Sequence, residues 1–216
     1  MAKEEKIRKE IVEAGKRLSK NRVVENNEGN ISVRYGRKDE LFITPTANNY
    51  QTLTPNEVVH MNFEGEALSK GKLPSTESKL HVALYEAKRK AKCIIHTHSR
   101  YATMLSVVQK SIPIIMEEQI IYLGGSIDIA PYGEAHTEDI GKVALKALGK
   151  KNAALLANHG VIVCGKSVTN AVKAAELVEK LAQVYWGALQ IGEPKIISKD
   201  IDEKFEKMFN MLFRVK

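Results

Sequence analysis

Apolar positions along the chain follow two different periods. Ile7, Ile11, Ala14 and Leu18 fall three or four residues apart, the spacing of one face of an amphipathic helix. Glu25-Asn26-Asn27-Glu28-Gly29-Asn30 interrupts that pattern with turn formers. Ile31 to Tyr35 then alternates as a strand does, and Leu41 to Thr44 forms a second strand. A polar loop, Thr44-Pro45-Thr46-Ala47-Asn48, follows, and Val58 to Asn62 reads as a third strand turned by Glu64-Gly65. Leu73-Pro74-Ser75-Thr76-Glu77 opens a helix that Ser75 or Thr76 can cap, with Leu80, Leu84 and Ala87 as its buried stripe.

The second half repeats the alternation of strand and helix. A β-branched apolar run from Lys92 leads into His96-Thr97-His98, and a helix follows from about Tyr101 to Val108. Ile112 to Ile115 is extended, with Glu117 and Glu118 just beyond it and Gly124-Gly125 after them. Ile127 to Ala130 is a short strand ended by Pro131. Thr137 caps a helix that buries Ile140, Val143, Ala147 and Leu148 and stops at Gly149. Ala153 to Ala157 and Val161 to Cys164 are strands flanking Asn158-His159-Gly160; a long helix from about Val168 to Leu189 and a charged C-terminal helix close the chain. Strands cluster early and later alternate with helices, which predicts an α/β fold, a sheet covered by helices, in one domain over residues 1–216.

Composition bounds this picture without redrawing it. An apolar share of 44% over 216 residues suffices for a sizeable core. There is no run of eighteen apolar residues, and Met1 to Glu10 is charged throughout, so neither a spanning helix nor a signal peptide is expected. The expectation is a soluble, cytoplasmic protein with no membrane partner. The net charge of +7 comes from lysines scattered among glutamates, as in Lys3 to Lys9 and Lys199 to Lys207. That pattern argues against a nucleic-acid partner and leaves a positive field suited to anionic metabolites. Cys93 and Cys164 each lie inside an apolar run, where buried, reduced thiols are expected.

The candidate chemistry starts at His96 and His98. Residues two apart on a strand share a face, so both imidazoles can grip one ion. Zinc, manganese and iron all accept neutral imidazole, and a site needs a third ligand. His159, between two apolar runs, supplies one. Two histidines at a strand end and a third on a distant turn describe an open catalytic site rather than a four-ligand structural one. Cys164 is an alternative ligand; His60, His81 and His136 lack a partner pattern and read as structural or surface residues. Ser75-Thr76 at a helix start can bind an anion through unpaired backbone N–H groups, although ordinary capping explains the same pair. The Asn30 and Thr46 loops can add donors.

Five motifs in order change that balance: Gly29-Asn30-Ile31-Ser32-Val33-Arg34, Ile43-Thr44-Pro45-Thr46, Leu73-Pro74-Ser75-Thr76-Glu77, His96-Thr97-His98 and Asn158-His159-Gly160. Together they resemble the class II aldolase/adducin family, and most of all its L-fuculose-1-phosphate aldolases, from the first helix to about Pro194. The resemblance implies a three-layer αβα fold with a mostly antiparallel central sheet. It also implies a divalent ion, usually zinc, on His96, His98 and His159, with Glu77 touching the metal and acting as general acid/base. The substrate phosphate would sit on Asn30, Thr46, Ala47, Ser75 and Thr76. The implied reaction is cleavage of a ketose 1-phosphate to dihydroxyacetone phosphate and an aldehyde through an enediolate, in a homotetramer with sites at subunit contacts. Proton transfer by Glu77 in a shielded site calls for a raised pKa.

Two departures qualify the resemblance. Ala47 stands where the fuculose enzymes have glycine, which preserves the backbone N–H. Glu118, beside Glu117, stands where the sugar-phosphate aldolases place a tyrosine from a neighbouring subunit. An acidic residue there points also toward a sugar-phosphate 4-epimerase or a methylthioribulose-1-phosphate-type dehydratase. Adducin-like scaffolding members lose the histidines that this chain keeps. A cupin, the other home of His-x-His, would want an all-β chain.

Overall fold

A computed structural model describes residues 3–36 and 39–215. Among these residues, seven strands form one sheet: β1 (Asn30–Arg34), β2 (Glu40–Ile43), β3 (Val59–Asn62), β4 (Cys93–Thr97), β5 (Asp128–Ala130), β6 (Ala153–Leu156) and β7 (Gly160–Gly165). Their order is β3-β2-β1-β4-β7-β6-β5. Every neighbouring pair is antiparallel except β5 with β6, so the mostly antiparallel sheet is as expected.

Side-chain alternation along the strands sorts the core into two layers of packing. Cys93 and Ile95 of β4 join Ile31, Val33, Val161 and Val163 in a cluster with α1 (Lys3–Lys20), α3 (Arg100–Val107) and α6 (Val168–Ile191). Ile94 joins Leu41, Ile162 and Cys164 beneath α2 (Ser78–Ala87) and α5 (Asp139–Leu148) on the opposite face. The result is the three-layer αβα arrangement. Ile11 and Leu18 of α1 are fully buried, and each contributes roughly 1.5–3 kcal/mol. That is enough to hold a highly charged helix on the sheet. Cys93 and Cys164 are buried and free; they lie on opposite faces, which keeps the thiols apart.

Three local expectations need correction. Neither Ser75 nor Thr76 is the cap of α2, which begins at Ser78 with Glu77 at the cap position. The reason is that residues just before it are held extended against the 44–46 loop, by Thr46 N to Leu73 O and Ser75 N to Thr44 O, each 3.1 Å. At α5 the cap position is Glu138, and Thr137 Oγ1 accepts from Asp139 N at 3.2 Å instead. The residues before Gly124 form α4 (Glu117–Leu123), a helix that the apolar pattern did not reveal. It is two turns long, with acidic residues in its first turn and Gly124 left-handed at its end, φ 90°. The C-terminal helix α7 (Lys199–Leu212) packs on it, with Phe209 against Gly124.

Candidate active site

The site forms where β1 and β4 reach the edge of the core. Asn30 pairs with His96 and Ser32 with Ile94, so Asn30, Ser32 and His96 share the face turned to α2. Chain approach is close here: a Cβ on Gly29, at φ 71°, would collide with the His96 carbonyl. His98 lies just past the end of β4. His159 sits at the tip of the β6–β7 hairpin, which the Leu156–Gly160 pair closes and the left-handed Asn158 (φ 55°) turns. Gly160 lets this tip come in, because a Cβ there would stand 2.9 Å from His98 Cδ2 and closer still to the Thr97 carbonyl.

These approaches gather three imidazoles with ring centroids 4.7–4.8 Å apart. Glu77 completes the group, and one donor atom from each of Glu77, His96, His98 and His159 lies within 4.8 Å of the others. His96 Nδ1 is 2.8 Å from the Val161 carbonyl, which only accepts, so Nδ1 carries the proton and Nε2 presents a bare lone pair. Burial pushes the His96 pKa down to about 3 against the opposing pull of Glu77, and burial lowers that of His98 as well. Both rings are therefore neutral at physiological pH.

For Glu77 the raised pKa expected from its role is not what the structure gives. Burial alone would raise it, yet the carboxyl is held well below its ordinary range, with the Asn30 amide donating to it. It is a carboxylate, with Oε2 accepting from Asn30 Nδ2 at 2.7 Å. Oε1 lies 3.1 Å from His159 Nε2 but is not aligned with it as a hydrogen bond, leaving a buried acceptor without a donor. The separations His96 Nε2–His98 Nε2 of 2.9 Å, Glu77 Oε1–His159 Nε2 of 3.1 Å and Glu77 Oε2–His96 Nε2 of 3.4 Å run up to the spacing of about 3.4 Å that tetrahedral ligands at about 2.1 Å would have. Neutral imidazoles, a carboxylate and an orphaned oxygen together fit a divalent cation.

Beside this cluster the 44–46 and 73–75 segments are joined by the bonds described above and by a bridge between Pro45 and Pro74. Thr46, Ala47 and Thr76 are exposed along that seam, while Ser75 and Asn30 are buried. Ala47 has a left-handed φ of 51°. Glu118 is not among the four clustered donors; in the first turn of α4 it takes Lys180 Nζ at 2.6 Å. Cys164 is buried in β7 and also outside the group. His60 stacks on Phe42 at 4.4 Å and bonds Glu40. The residues missed were His81, Ser32 and Tyr85, which lie buried behind Asn30. A signal was present: Glu77, His81 and Tyr85 are spaced by four, a single stripe along a helix.

Fold and cluster define a three-layer α/β protein with a four-donor group suited to a divalent cation. The chain matches the family described as Class II Aldolase and Adducin N-terminal domain over residues 9–186 and belongs to it. It is 31% identical to the 5-deoxy-D-ribulose 1-phosphate aldolase of Bacillus thuringiensis serovar kurstaki, covering 95% of this chain and 96% of that one. Identity to the L-fuculose phosphate aldolase of Escherichia coli is 33%, over 90% and 89% of the two chains. A solved structure titled L-fuculose 1-phosphate aldolase superposes with a TM-score of 0.90 at 28% identity, covering 95% of this chain and 97% of the other. The chain is a class II, metal-dependent aldolase, a carbon–carbon lyase.

Proposed function

We propose that the chain cleaves a short deoxyketose 1-phosphate, L-fuculose 1-phosphate or a similar sugar such as 5-deoxyribulose 1-phosphate, to dihydroxyacetone phosphate and an aldehyde. The observation that carries this reading is the Glu77 carboxylate set among three imidazoles. His96, His98 and His159, with Glu77, are the residues that would hold the ion, and zinc suits the donor set. When bound, the ion supplies Lewis-acid stabilisation of the oxygen charge that develops as the carbon–carbon bond breaks. Glu77 moves a proton at carbon: it removes one beside the ketone in the synthetic direction and returns one in cleavage. Asn30, Thr46, Ala47, Ser75 and Thr76 bind the phosphate through hydroxyls, an amide and backbone N–H groups on the seam between their loops.

Glu118, outside the cluster of its own protomer, serves a neighbouring site as second acid/base in a homotetramer. The whole chain acts as one domain, in the cytoplasm; among the described residues no helix is long and apolar enough to cross a membrane. The acidic Glu118 favours a second reading, a 4-epimerase or a methylthioribulose-1-phosphate-type dehydratase using the same cluster. A panel of ketose 1-phosphates separates the two. Release of dihydroxyacetone phosphate, read by its reduction in a coupled assay, supports the aldolase; epimerised or dehydrated product without it overturns the proposal.

A further inference from the structure

Behind Glu77 runs a buried line of polar groups that proton transfer at the substrate does not use. Asn30 Nδ2 donates to Glu77 Oε2 at 2.7 Å. Asn30 Oδ1 meets His81 Nε2, His81 Nδ1 lies 2.6 Å from Ser32 Oγ, and Ser32 Oγ lies 2.9 Å from the Tyr85 hydroxyl. Asn30 is 2% exposed, and Ser32, His81 and Tyr85 are wholly buried. No water can substitute for a missing partner in such a line without a new cavity.

Elementary donor counting fixes every proton along it. A carboxylate only accepts, so the Asn30 atom facing Glu77 is the NH₂ group and the atom facing His81 is the carbonyl oxygen. That oxygen also only accepts, so His81 Nε2 carries a proton. Burial keeps the His81 ring neutral, with its pKa pushed down to about 4. Nδ1 is then bare and accepts from Ser32, whose oxygen accepts from Tyr85. Each choice depends on the one before. Without a donor at position 81, the buried Asn30 carbonyl loses its partner, and the amide plane is held only by its bond to Glu77.

We propose that His81 is a positioning residue: through the Asn30 amide it fixes the Glu77 carboxylate in the orientation that the four-donor cluster requires. This rests on the function proposed above for Glu77, although two of the readouts below do not involve turnover. In the function proposed above Asn30 also serves the phosphate, so one amide would tie the phosphate seam to the acid/base.

The test compares His81→Leu with His81→Gln in the full chain. Glutamine offers an N–H to Asn30 and an oxygen to Ser32; leucine offers neither. In metal-stripped protein, zinc affinity measured by competition with a chromogenic chelator should fall about 10- to 100-fold in His81→Leu, as for other groups that orient ligands. His81→Gln should stay within about threefold of the parent. With zinc restored, kcat for release of dihydroxyacetone phosphate should fall and KM should rise in the leucine variant, and the glutamine variant should recover both. A folded leucine variant with parental zinc affinity and kcat would overturn the proposal, as would a glutamine variant as impaired as leucine. Should leucine prevent folding, the tautomer decides: ¹⁵N resonances of histidine in the parent must show His81 neutral and protonated on Nε2. A ring protonated on Nδ1 would overturn it. If no ketose phosphate is cleaved, the proposed function fails, while affinity and tautomer still judge His81.

Discussion

His96 Nε2 stands 2.9 Å from His98 Nε2, and the opposite nitrogen of the His96 ring is committed to the Val161 carbonyl. Two ring nitrogens this close, in a pocket that keeps both rings neutral, gain most when a cation takes both lone pairs. Chelation should therefore abolish turnover, and zinc or another divalent ion should restore it. His98→Ala should weaken zinc binding more than about 100-fold, beyond the loss typical of outer residues. Full turnover in metal-stripped protein would refute the assignment.

Glu77→Gln keeps an oxygen for Asn30 and nearly the same volume. Fold should persist, and zinc should still bind to the three imidazoles, at an affinity lowered at least as far as in His81→Leu. Turnover should drop about 10²- to 10⁴-fold, the usual worth of a positioned acid/base. Unchanged turnover, with zinc content confirmed by metal analysis, would remove Glu77 from the chemistry.

The strands, the long helices and the three-histidine cluster were legible because each rests on a regular spacing: two along β4, three or four along α1 and α6. His159 was legible because it stands between two apolar runs. What stayed hidden depends on contacts between distant segments. The late start of α2 follows from the pairing of residues 73–75 with the 44–46 loop, which no local pattern announces. The ionised state of Glu77 depends on Asn30, from another element. His81 was passed over because its partner, Asn30, lies 51 residues away, and its place becomes visible only once β1 is paired with β4. α4 is too short to show a period, and Glu118 was read from register alone.

His81 also predicts how stability varies with pH. In the folded chain its pKa is about 4, lowered first by burial and opposed by Glu77; unfolded, it would be about 6.5. The unfolded state therefore binds a proton first as pH falls. The neutral ring's stabilisation is complete above about pH 6.5 and is lost on the way down to about pH 4, by about 3 kcal/mol in total. Urea midpoints of metal-free protein between pH 7 and pH 4 should fall more steeply for the parent than for His81→Gln. Parallel slopes would show that the ring is not buried neutral.

Ala47 carries a left-handed φ of 51° that costs a non-glycine residue about 1–2 kcal/mol. Ala47→Gly removes that strain but adds freedom to the unfolded chain worth about 0.4–1 kcal/mol. The net should be a stabilisation between about 0 and 1.6 kcal/mol, with KM unchanged because the backbone N–H remains. A lower urea midpoint would mean that the loop does not hold this conformation in solution.

Glu118 offers the sharpest division between a surface ion pair and a catalytic group supplied across a subunit contact. Within its protomer it holds Lys180 on a partly exposed surface, an interaction worth at most about 1 kcal/mol. If that is its whole role, Glu118→Gln and Lys180→Met should behave alike, with small losses of stability and full turnover. If Glu118 transfers a proton in a neighbouring site, Glu118→Gln should lose about 10²-fold or more in kcat while Lys180→Met loses far less. Mixing Glu118→Gln with Glu77→Gln chains provides the decisive measurement. Each chain lacks one group of the pair, so a hybrid assembly can rebuild an intact site only across a subunit contact. Recovered turnover on mixing places the two carboxylates in the same site from different protomers; no recovery, with hybrid assembly verified by mass, would sink the shared site.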